Sequence, residues 1–364
     1  MSESTEHVVV GLSGGVDSAV AAALLLDQGY RVTGLFMKNW EEDDDDEYCA
    51  AAIDLADAQA VSDSLGIELR TINFSHEYWE RVFSEFLRQY EAGLTPNPDV
   101  LCNREIKFKE FLDHARSLGA TMIATGHYAG IRQEHGPACL LRGRDRNKDQ
   151  SYFLYALNQE ALNNSLFPLQ EWTKPELRER ARTLGLPVHE KKDSTGICFI
   201  GERRFRDFLA RYIETRPGLS VDPDGGTVGQ HQGLNFYTIG QRQGLGIGGA
   251  GEAWYVIRKE LDTNVLHVAQ GHNHPALFSS WLTAGEMSWI SGEQPRLPFT
   301  CTAKTRYRQA DQECTIESIA HGVALIRFSV PQRAVTPGQA LVIYDGEVCL
   351  GGGTILNCEA LDGS

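Results

Sequence analysis

The residues of this chain best suited to chemistry form one continuous run, Gly11-Leu12-Ser13-Gly14-Gly15-Val16-Asp17-Ser18. Ser13 and Ser18 can donate hydroxyl hydrogen bonds to an anion, and Asp17 can bind the Mg²⁺ that accompanies a phosphate. Gly14 and Gly15 let the backbone approach such a group closely. The elements that must position this run flank it. Val8-Val9-Val10 is β-branched and reads as a buried strand. Ala19 to Leu26 is a series of strong helix formers. Strand, tight turn and helix N-terminus together aim free N–H groups at one point, which suits phosphate. A Walker loop would close on Gly-Lys-Ser/Thr, and no lysine is present; G-x-G-x-x-G is absent as well. An ordinary glycine-rich turn is the plainer alternative, but it leaves two serines and an aspartate unexplained.

Thiols are the second reactive class. The chain has eight cysteines, at 49, 102, 139, 198, 301, 314, 349 and 358. They include no C-x-x-C pair, so neither zinc, any other transition-metal centre, nor a disulfide scaffold is indicated. Cys102 follows Thr95-Pro96-Asn97-Pro98-Asp99-Val100-Leu101, where two prolines exclude helix and central strand. The expectation is a stiff loop ending where Asn103 caps a helix, with the Cys102 thiolate favoured by the dipole. A rigid connector with an incidental cysteine explains that stretch equally well. Cys198 lies in Lys191–Gly201, a polar loop running into a strand-like piece. Cys301, Cys314 and Cys349 fall within β-like runs and read as structural.

Around these residues the first third of the chain alternates strand and helix signals. Strands are expected at 31–36, 68–72 and 121–125. Helices are expected at 50–65, 76–90 and 108–118. In the first, Ile53, Leu55, Ala58, Val61 and Leu65 form the apolar stripe. In the second, Trp79, Val82, Phe83, Phe86 and Tyr90 recur at helical spacing and read as core. This rhythm implies a parallel sheet covered on both faces, with ligands at the carboxyl ends of its strands. The glycine run, Met37-Lys38-Asn39 and Gly126-His127 should therefore converge. Thr173 to Leu184 reads as a helix opened by a capping box of Thr173 and Glu176, and a further helix is expected at 203–213. Composition then shifts. Residues 218–271 are glycine-rich with short β-like pieces, and Gly244–Gly249 reads as turns. Short alternating strands from about 275 onward (299–305, 313–319, 323–328, 340–344) suggest a small antiparallel barrel or sandwich.

A length of 364 residues suggests two or three domains, and 42% hydrophobic residues is ordinary for a globular protein. No apolar run is long enough to span a bilayer and no leader is visible at Met1–His7, so a cytoplasmic location is expected. The formal net charge of −15 argues against nucleic acid as a partner. The charge is uneven, however. Glu41–Glu47 is strongly acidic, whereas Arg142, Arg144, Arg146 and Lys148 cluster, as do Lys191-Lys192, Arg203-Arg204-Arg206 and Arg306/Arg308. A basic face on an acidic protein is one consequence.

The first run resembles the pyrophosphatase loop, S-G-G-x-D-S, of enzymes that split ATP into AMP and pyrophosphate. Further stretches extend the likeness: Thr95–Asn103, Gly126–Ala129, Lys148–Tyr152, Ser194–Phe199, Tyr237–Arg242 and Lys304–Arg308. Together, in order and over nearly the whole length, they resemble the bacterial tRNA-specific 2-thiouridylase family. The resemblance implies a Rossmann-like parallel-sheet pyrophosphatase domain at 1–205, a central tRNA-binding domain at 206–272 and an antiparallel β-barrel at 273–364. It implies replacement of oxygen by sulfur at C2 of the wobble uridine, position 34, of certain tRNAs. ATP, with Mg²⁺, would adenylate the carbonyl oxygen, because a ureido oxygen is otherwise a poor leaving group. A cysteine persulfide would then supply the sulfur, loaded by a sulfur-relay donor protein.

By matched position, Gly11, Leu12, Ser13, Gly14, Gly15, Val16, Asp17 and Ser18 hold ATP phosphates, and Met37 and Gly126 contact the nucleotide. Asn97, Pro98 and Asp99 meet the target base, and Asp99 counts with the catalytic thiols. Cys198 carries the persulfide, and Cys102 is its partner, ending in a transient Cys102–Cys198 disulfide. Lys148, Asp149, Gln150, Arg306 and Tyr307 contact tRNA; His127 and Gln339 stand where tRNA selection is sensed. Two other readings use the same loop. An amide-forming or argininosuccinate-type ligase acting on a small molecule needs neither cysteine and has no use for a β-domain bearing Lys304–Arg308. A non-catalytic tRNA-binding protein would have no reason to keep Ser13, Asp17 and Ser18 together.

Overall fold

A computed structural model describes residues 6–41, 50–133, 136–193 and 205–360. Strands β1 (His7–Gly11), β2 (Arg31–Lys38), β3 (Glu68–Asn73) and β4 (Met122–Ala124) run parallel, with helices between them. The chain then leaves this sheet as an antiparallel hairpin, β5 (Ala129–Arg132) and β6 (Cys139–Arg142), and returns as a short parallel edge strand, β7 (Ser165–Leu166). The sheet order is β3-β2-β1-β4-β7. Val8 to Val10 are buried because they lie at its centre, and the apolar Val16–Asp27 helix packs over them.

The Ala50–Leu65 helix appears with the bounds its sequence suggests, and Ala58 and Val61 are buried on its inner face. Ile53, assigned to the same stripe, is exposed. The aromatic stripe at 76–90 is core as expected: Val82, Phe83, Phe86 and Tyr90 are buried and Trp79 packs against them. Its helix is interrupted by a wide π-turn at Trp79–Phe83.

One expectation needs correction. Residues 98–101 are not loop. Asn97 is extended, Pro98 opens a helix, and the helix continues as π-helix through Cys102–Glu110 into Phe111–Ser117. Proline is pre-organised for a first helical turn, where its missing N–H costs nothing. Asn103 is therefore interior to the helix rather than its cap, and its amide donates to the Phe153 carbonyl at 3.1 Å. Cys102 is not in a polar, turn-rich loop but fully buried in the main core cluster. The helix expected at 203–213 is described only as Phe205–Leu209.

The central segment forms a four-stranded sheet of β8 (Gly218–Val221), β9 (Thr227–His231), β10 (Trp254–Glu260) and β11 (Val265–Gln270), in the order β10-β11-β8-β9. The last part is a closed antiparallel barrel of β12 (Phe278–Trp289), β13 (Phe299–Lys304), β14 (Gln312–Ala320), β15 (Val323–Arg333), β16 (Ala340–Asp345) and β17 (Val348–Ala360); β17 pairs with both β16 and β12 to close it. Cys301 and Cys314 face each other across β13 and β14 inside it. The β5–β6 hairpin extends the barrel: Leu140 and Leu141 of β6 pair with Cys349 and Val348 of β17. The N-terminal unit thus shares a sheet with the C-terminal one. Ser151 and Tyr152 reinforce the seam through hydrogen bonds to Tyr344 and the Ala340 carbonyl. Among the described residues no helix is long and apolar enough to cross a membrane.

Candidate active site

The glycine run sits at the carboxyl end of β1, and the three expected stretches do converge there. The Met37 methyl lies against Gly11, and Gly126 packs against the Asp17–Ser18 backbone so closely that a Cβ would come within 2.8 Å of the Ser18 nitrogen. Gly14 has φ +71°, and a side chain there would collide with the Asp54 carbonyl; glycine is required on both counts. Ser18 Oγ accepts from the Ser13 N–H at 3.2 Å and donates to the Gly15 carbonyl at 3.1 Å. The loop is thereby folded over the N-terminus of the Val16–Asp27 helix, with Leu12 and Val16 buried beneath it. Such a turn is built to receive an anion.

Asp17 Oδ1 accepts from the Tyr128 hydroxyl at 2.9 Å and from Lys174 Nζ at 2.7 Å. Burial first, then the Asp17 charge, raises the Tyr128 phenol far above its usual range, so it stays a donor. Lys174 begins a helix fixed by the expected capping box of Thr173 and Glu176. The Lys174 ammonium also reaches Asp193, which takes Arg178 and Lys148 as well. Burial pushes the Asp193 carboxyl up, but hydrogen bonds from Lys148 and Lys174 outweigh it and bring it down to about 2. Sequence reasoning assigned no role to Tyr128, Lys174, Arg178 or Asp193. A lysine at the first position of a capped helix is the signal that could have found one of them.

The Lys148–Tyr152 stretch lies inside the protein more than on it. Asp149 is 4% exposed, accepts from the backbone N–H groups of Gly143 and Ser151, and faces Arg142 at 3.7 Å. Gln150 accepts from the Tyr128 N–H at 3.0 Å and so supports the residue that supports Asp17. The cluster expected as a basic face is a set of ion pairs instead. Arg142 is buried between Asp149 and Asp311 and stacks on Tyr344; Arg144 pairs with Glu176, Arg146 with Glu347 and Lys148 with Asp193. Arg306 is mostly enclosed and donates to the carbonyls of Arg333 and Ala334. Tyr307 packs against Phe153 at a 50° tilt with ring centroids 4.5 Å apart, and Arg308 lies over the Tyr307 ring.

Asn97 and Pro98 border a cavity of about 390 Å³ with Pro96, Arg104, Tyr155 and Gly338. Asp99 is on the first turn of the helix that Pro98 opens. The loop before it is held from the barrel: Gln339 Nε2 donates to the Thr95 carbonyl at 2.7 Å, and the Thr95 N–H donates to the Pro337 carbonyl at 3.0 Å. His127 is buried with Nδ1 2.7 Å from Thr125 Oγ1, beside Phe108 and Phe167; burial, then the charge of Lys107, holds its imidazole well below the usual pKa. Cys198, the acidic stretch 42–47 and Arg203-Arg204 lie outside the described residues.

A parallel α/β sheet with a glycine turn over a helix N-terminus, joined to two β-rich units, defines a nucleotide-binding enzyme class with appended β-domains. Family models agree: residues 6–202 match the tRNA methyl transferase HUP domain, 206–270 the tRNA methyl transferase PRC-barrel domain and 279–355 the aminomethyltransferase β-barrel domain. The chain is 59% identical over 356 residues to the tRNA-specific 2-thiouridylase MnmA of Alkalilimnicola ehrlichii, covering 96% of this chain and 97% of that one. It is 58% identical to the protein of the same name from Proteus mirabilis, covering 97% of each, and 58% identical to that of Pseudomonas fluorescens, covering 99% and 97%. The chain belongs to the tRNA-specific 2-thiouridylase MnmA family. Among solved structures, NMN synthetase from Francisella tularensis is 20% identical over 52% of this chain and 67% of that one, with a TM-score of 0.33. A 4-thiouridine synthetase–RNA complex with bound ATP is 17% identical over 57% and 50%, with a TM-score of 0.34.

Proposed function

We propose that this protein is a tRNA-specific 2-thiouridylase, a cytoplasmic sulfurtransferase that uses ATP. The observation that carries the reading is the near-full-length identity to relatives of that name, in a chain that retains the complete glycine loop. In this reading Gly11–Ser18 cradle the phosphates, while Met37 and Gly126 border the nucleotide. Asp17 is a single, partly exposed carboxylate at the phosphate turn, which fits one ligand of a Mg²⁺ otherwise held by phosphate oxygens and water. The ion would offset phosphate charge as pyrophosphate departs.

The target uridine enters beside Asn97, Pro98 and Asp99, and its C2 oxygen attacks the α-phosphorus. Pyrophosphate leaves and an O-adenylated base remains. The terminal sulfur of a Cys198 persulfide, loaded by a partner protein, attacks C2 and AMP departs. The Cys102 thiolate then attacks Cys198 Sγ, which frees 2-thiouridine and leaves a Cys102–Cys198 disulfide for an external thiol to reduce. Lys148, Gln150, Arg306 and Tyr307 contact tRNA, Asp149 braces that stretch from beneath through the Gly143 and Ser151 N–H groups, and His127 and Gln339 sense its fit. Gln339 supports that role by bonding directly to the loop that precedes Asn97. The three functional units in this reading are 1–205, 206–272 and 273–364.

The test is incubation of the purified protein with unmodified tRNA, ATP, Mg²⁺ and a protein persulfide donor. Mass spectrometry of the digested nucleosides should show 2-thiouridine, and equimolar AMP and pyrophosphate should accumulate. Pyrophosphate release that is indifferent to tRNA would favour a small-molecule ligase instead.

A further inference from the structure

Six charged side chains meet where the glycine turn abuts the Lys174–Thr183 helix. Lys174 Nζ lies 2.7 Å from Asp17 Oδ1 and 2.7 Å from Asp193 Oδ1. The Asp193 carboxylate also takes Arg178 Nη2 at 2.9 Å and Lys148 Nζ at 2.5 Å. Three cations thus meet three carboxylates, since Asp145 also reaches in and accepts the Lys174 N–H at 2.9 Å, and the side chain of Lys174 is only 11% exposed. Neighbouring cations are engaged elsewhere: Lys191 is drawn to Asp54 and Asp57, and Arg144 to Glu176. The glycine turn opens the Val16–Asp27 helix, whereas the N-terminus of Lys174–Thr183 is already capped by Glu176 and Asp145. Cations gathered beside the glycine turn and partly removed from water are held where a polyphosphate on that turn would meet them.

The three cations come from two separate parts of the chain, and one carboxylate gathers them. A phosphate carries more charge and more acceptor oxygens than a carboxylate, so it is the stronger partner for the same donors. Lys174 can make the exchange without backbone movement, because an ammonium on a flexible stem has three donors to redistribute. Its bond to Asp17 keeps it tied to the phosphate turn throughout.

We propose that Asp193 is an internal competitor at the phosphate site: besides Lys148, it engages Lys174 and Arg178, the cations that the polyphosphate of ATP engages when bound. The proposal rests on the reading of the glycine turn as an ATP site. Asp193 is therefore a positioning residue. It stabilises the cation cluster and at the same time weakens ligand binding, and these two effects have opposite signs.

That opposition makes the test. Binding of Mg²⁺-pyrophosphate and of a non-hydrolysable ATP analogue is measured by calorimetry on the full chain, alongside thermal melting without ligand. Asp193→Asn should melt at a lower temperature yet bind pyrophosphate about tenfold more tightly, the size expected for releasing one charged hydrogen-bond partner. Lys174→Met should bind about tenfold more weakly, and Lys174→Arg should recover part of the loss. If Asp193→Asn binds equally or more weakly, Asp193 is a scaffold and the proposal is overturned while the ATP reading stands. If the wild-type protein binds neither ligand, the ATP reading fails and takes the proposal with it. Should Asp193→Asn not fold, hydrogen exchange of the wild-type protein decides. Amides at 188–193 should exchange faster once pyrophosphate is added, and slower exchange there overturns the proposal.

Discussion

Asp17 receives two donors on one oxygen, a phenol and an ammonium, and both are supplied by elements distant in sequence. A carboxylate fixed in this way is pre-oriented for its task before any ligand arrives. Asp17→Ala should lower pyrophosphate release by about 10²-fold or more while circular dichroism remains that of a folded protein, since the residue is partly exposed in a turn. Normal AMP production by this variant would remove the loop from the mechanism. Asp193 gives a pH signature. Its folded pKa of about 2 lies below the ordinary 3.8. A depressed carboxylate contributes stability that is complete above the unfolded value and fades as pH falls through the folded one. The melting difference between wild type and Asp193→Asn should therefore be constant above about pH 5 and close between about pH 4 and pH 2. A difference that instead grows on acidification would contradict the ion-pair assignment.

Of the elements around the Asn97–Pro98 cavity, the one that sequence patterns describe least well is the one the barrel touches. Pro98 was legible as a breaker, yet the same ring opens a helix when it stands at the first position, and nothing local distinguishes the two cases. With that start, Cys102 falls one turn inside and is buried, so serine there trades a buried sulfur for a smaller, more strongly hydrated hydroxyl. Cys102→Ser should cost about 1 kcal/mol of stability, measurable by denaturant titration. Under the proposed chemistry it should still adenylate tRNA and fail to release 2-thiouridine. Gly338 gives a cleaner separation. Its φ is +91°, and a Cβ would sit 2.8 Å from the Thr95 nitrogen. Gly338→Ala should displace the Thr95–Pro96 loop, lowering thiolation while leaving the affinity for ATP, measured by calorimetry, unchanged. Equal loss of both would show that the loop is not a separate element.

At the scale of the whole molecule, the β1–β4 rhythm, the capping box and the late β-region were legible because each has a local period or cap. The β5–β6 hairpin was not. Four-residue strands have little pattern of their own, and β6 finds its second partner only in β17, at the far end of the chain. The paired state of Arg142, Arg144, Arg146 and Lys148 was equally hidden, since basic spacing says nothing of the acids that tertiary structure brings alongside. Tyr344, Val342 and Cys349 of the barrel belong to the same core cluster as Ile106 and Phe111. A chain ending at residue 272 should therefore expose that surface and an unpaired β6 edge, and sedimentation should find it aggregated rather than monodisperse. A stable, soluble fragment would show that the units fold independently.

The shared sheet also bears on how the chain is made. Ser151 and Tyr344 are 193 residues apart, and β6 precedes β17 by a similar span. During synthesis the hairpin must leave the ribosome long before its neighbour exists. At about 5–20 residues per second, the interval is on the order of ten seconds or more. For that time an apolar edge is open to other chains, and its final pairing carries a high contact order. A nascent protein of this design is one whose yield depends on chaperone supply, even though its finished form pairs the vulnerable strand on both sides.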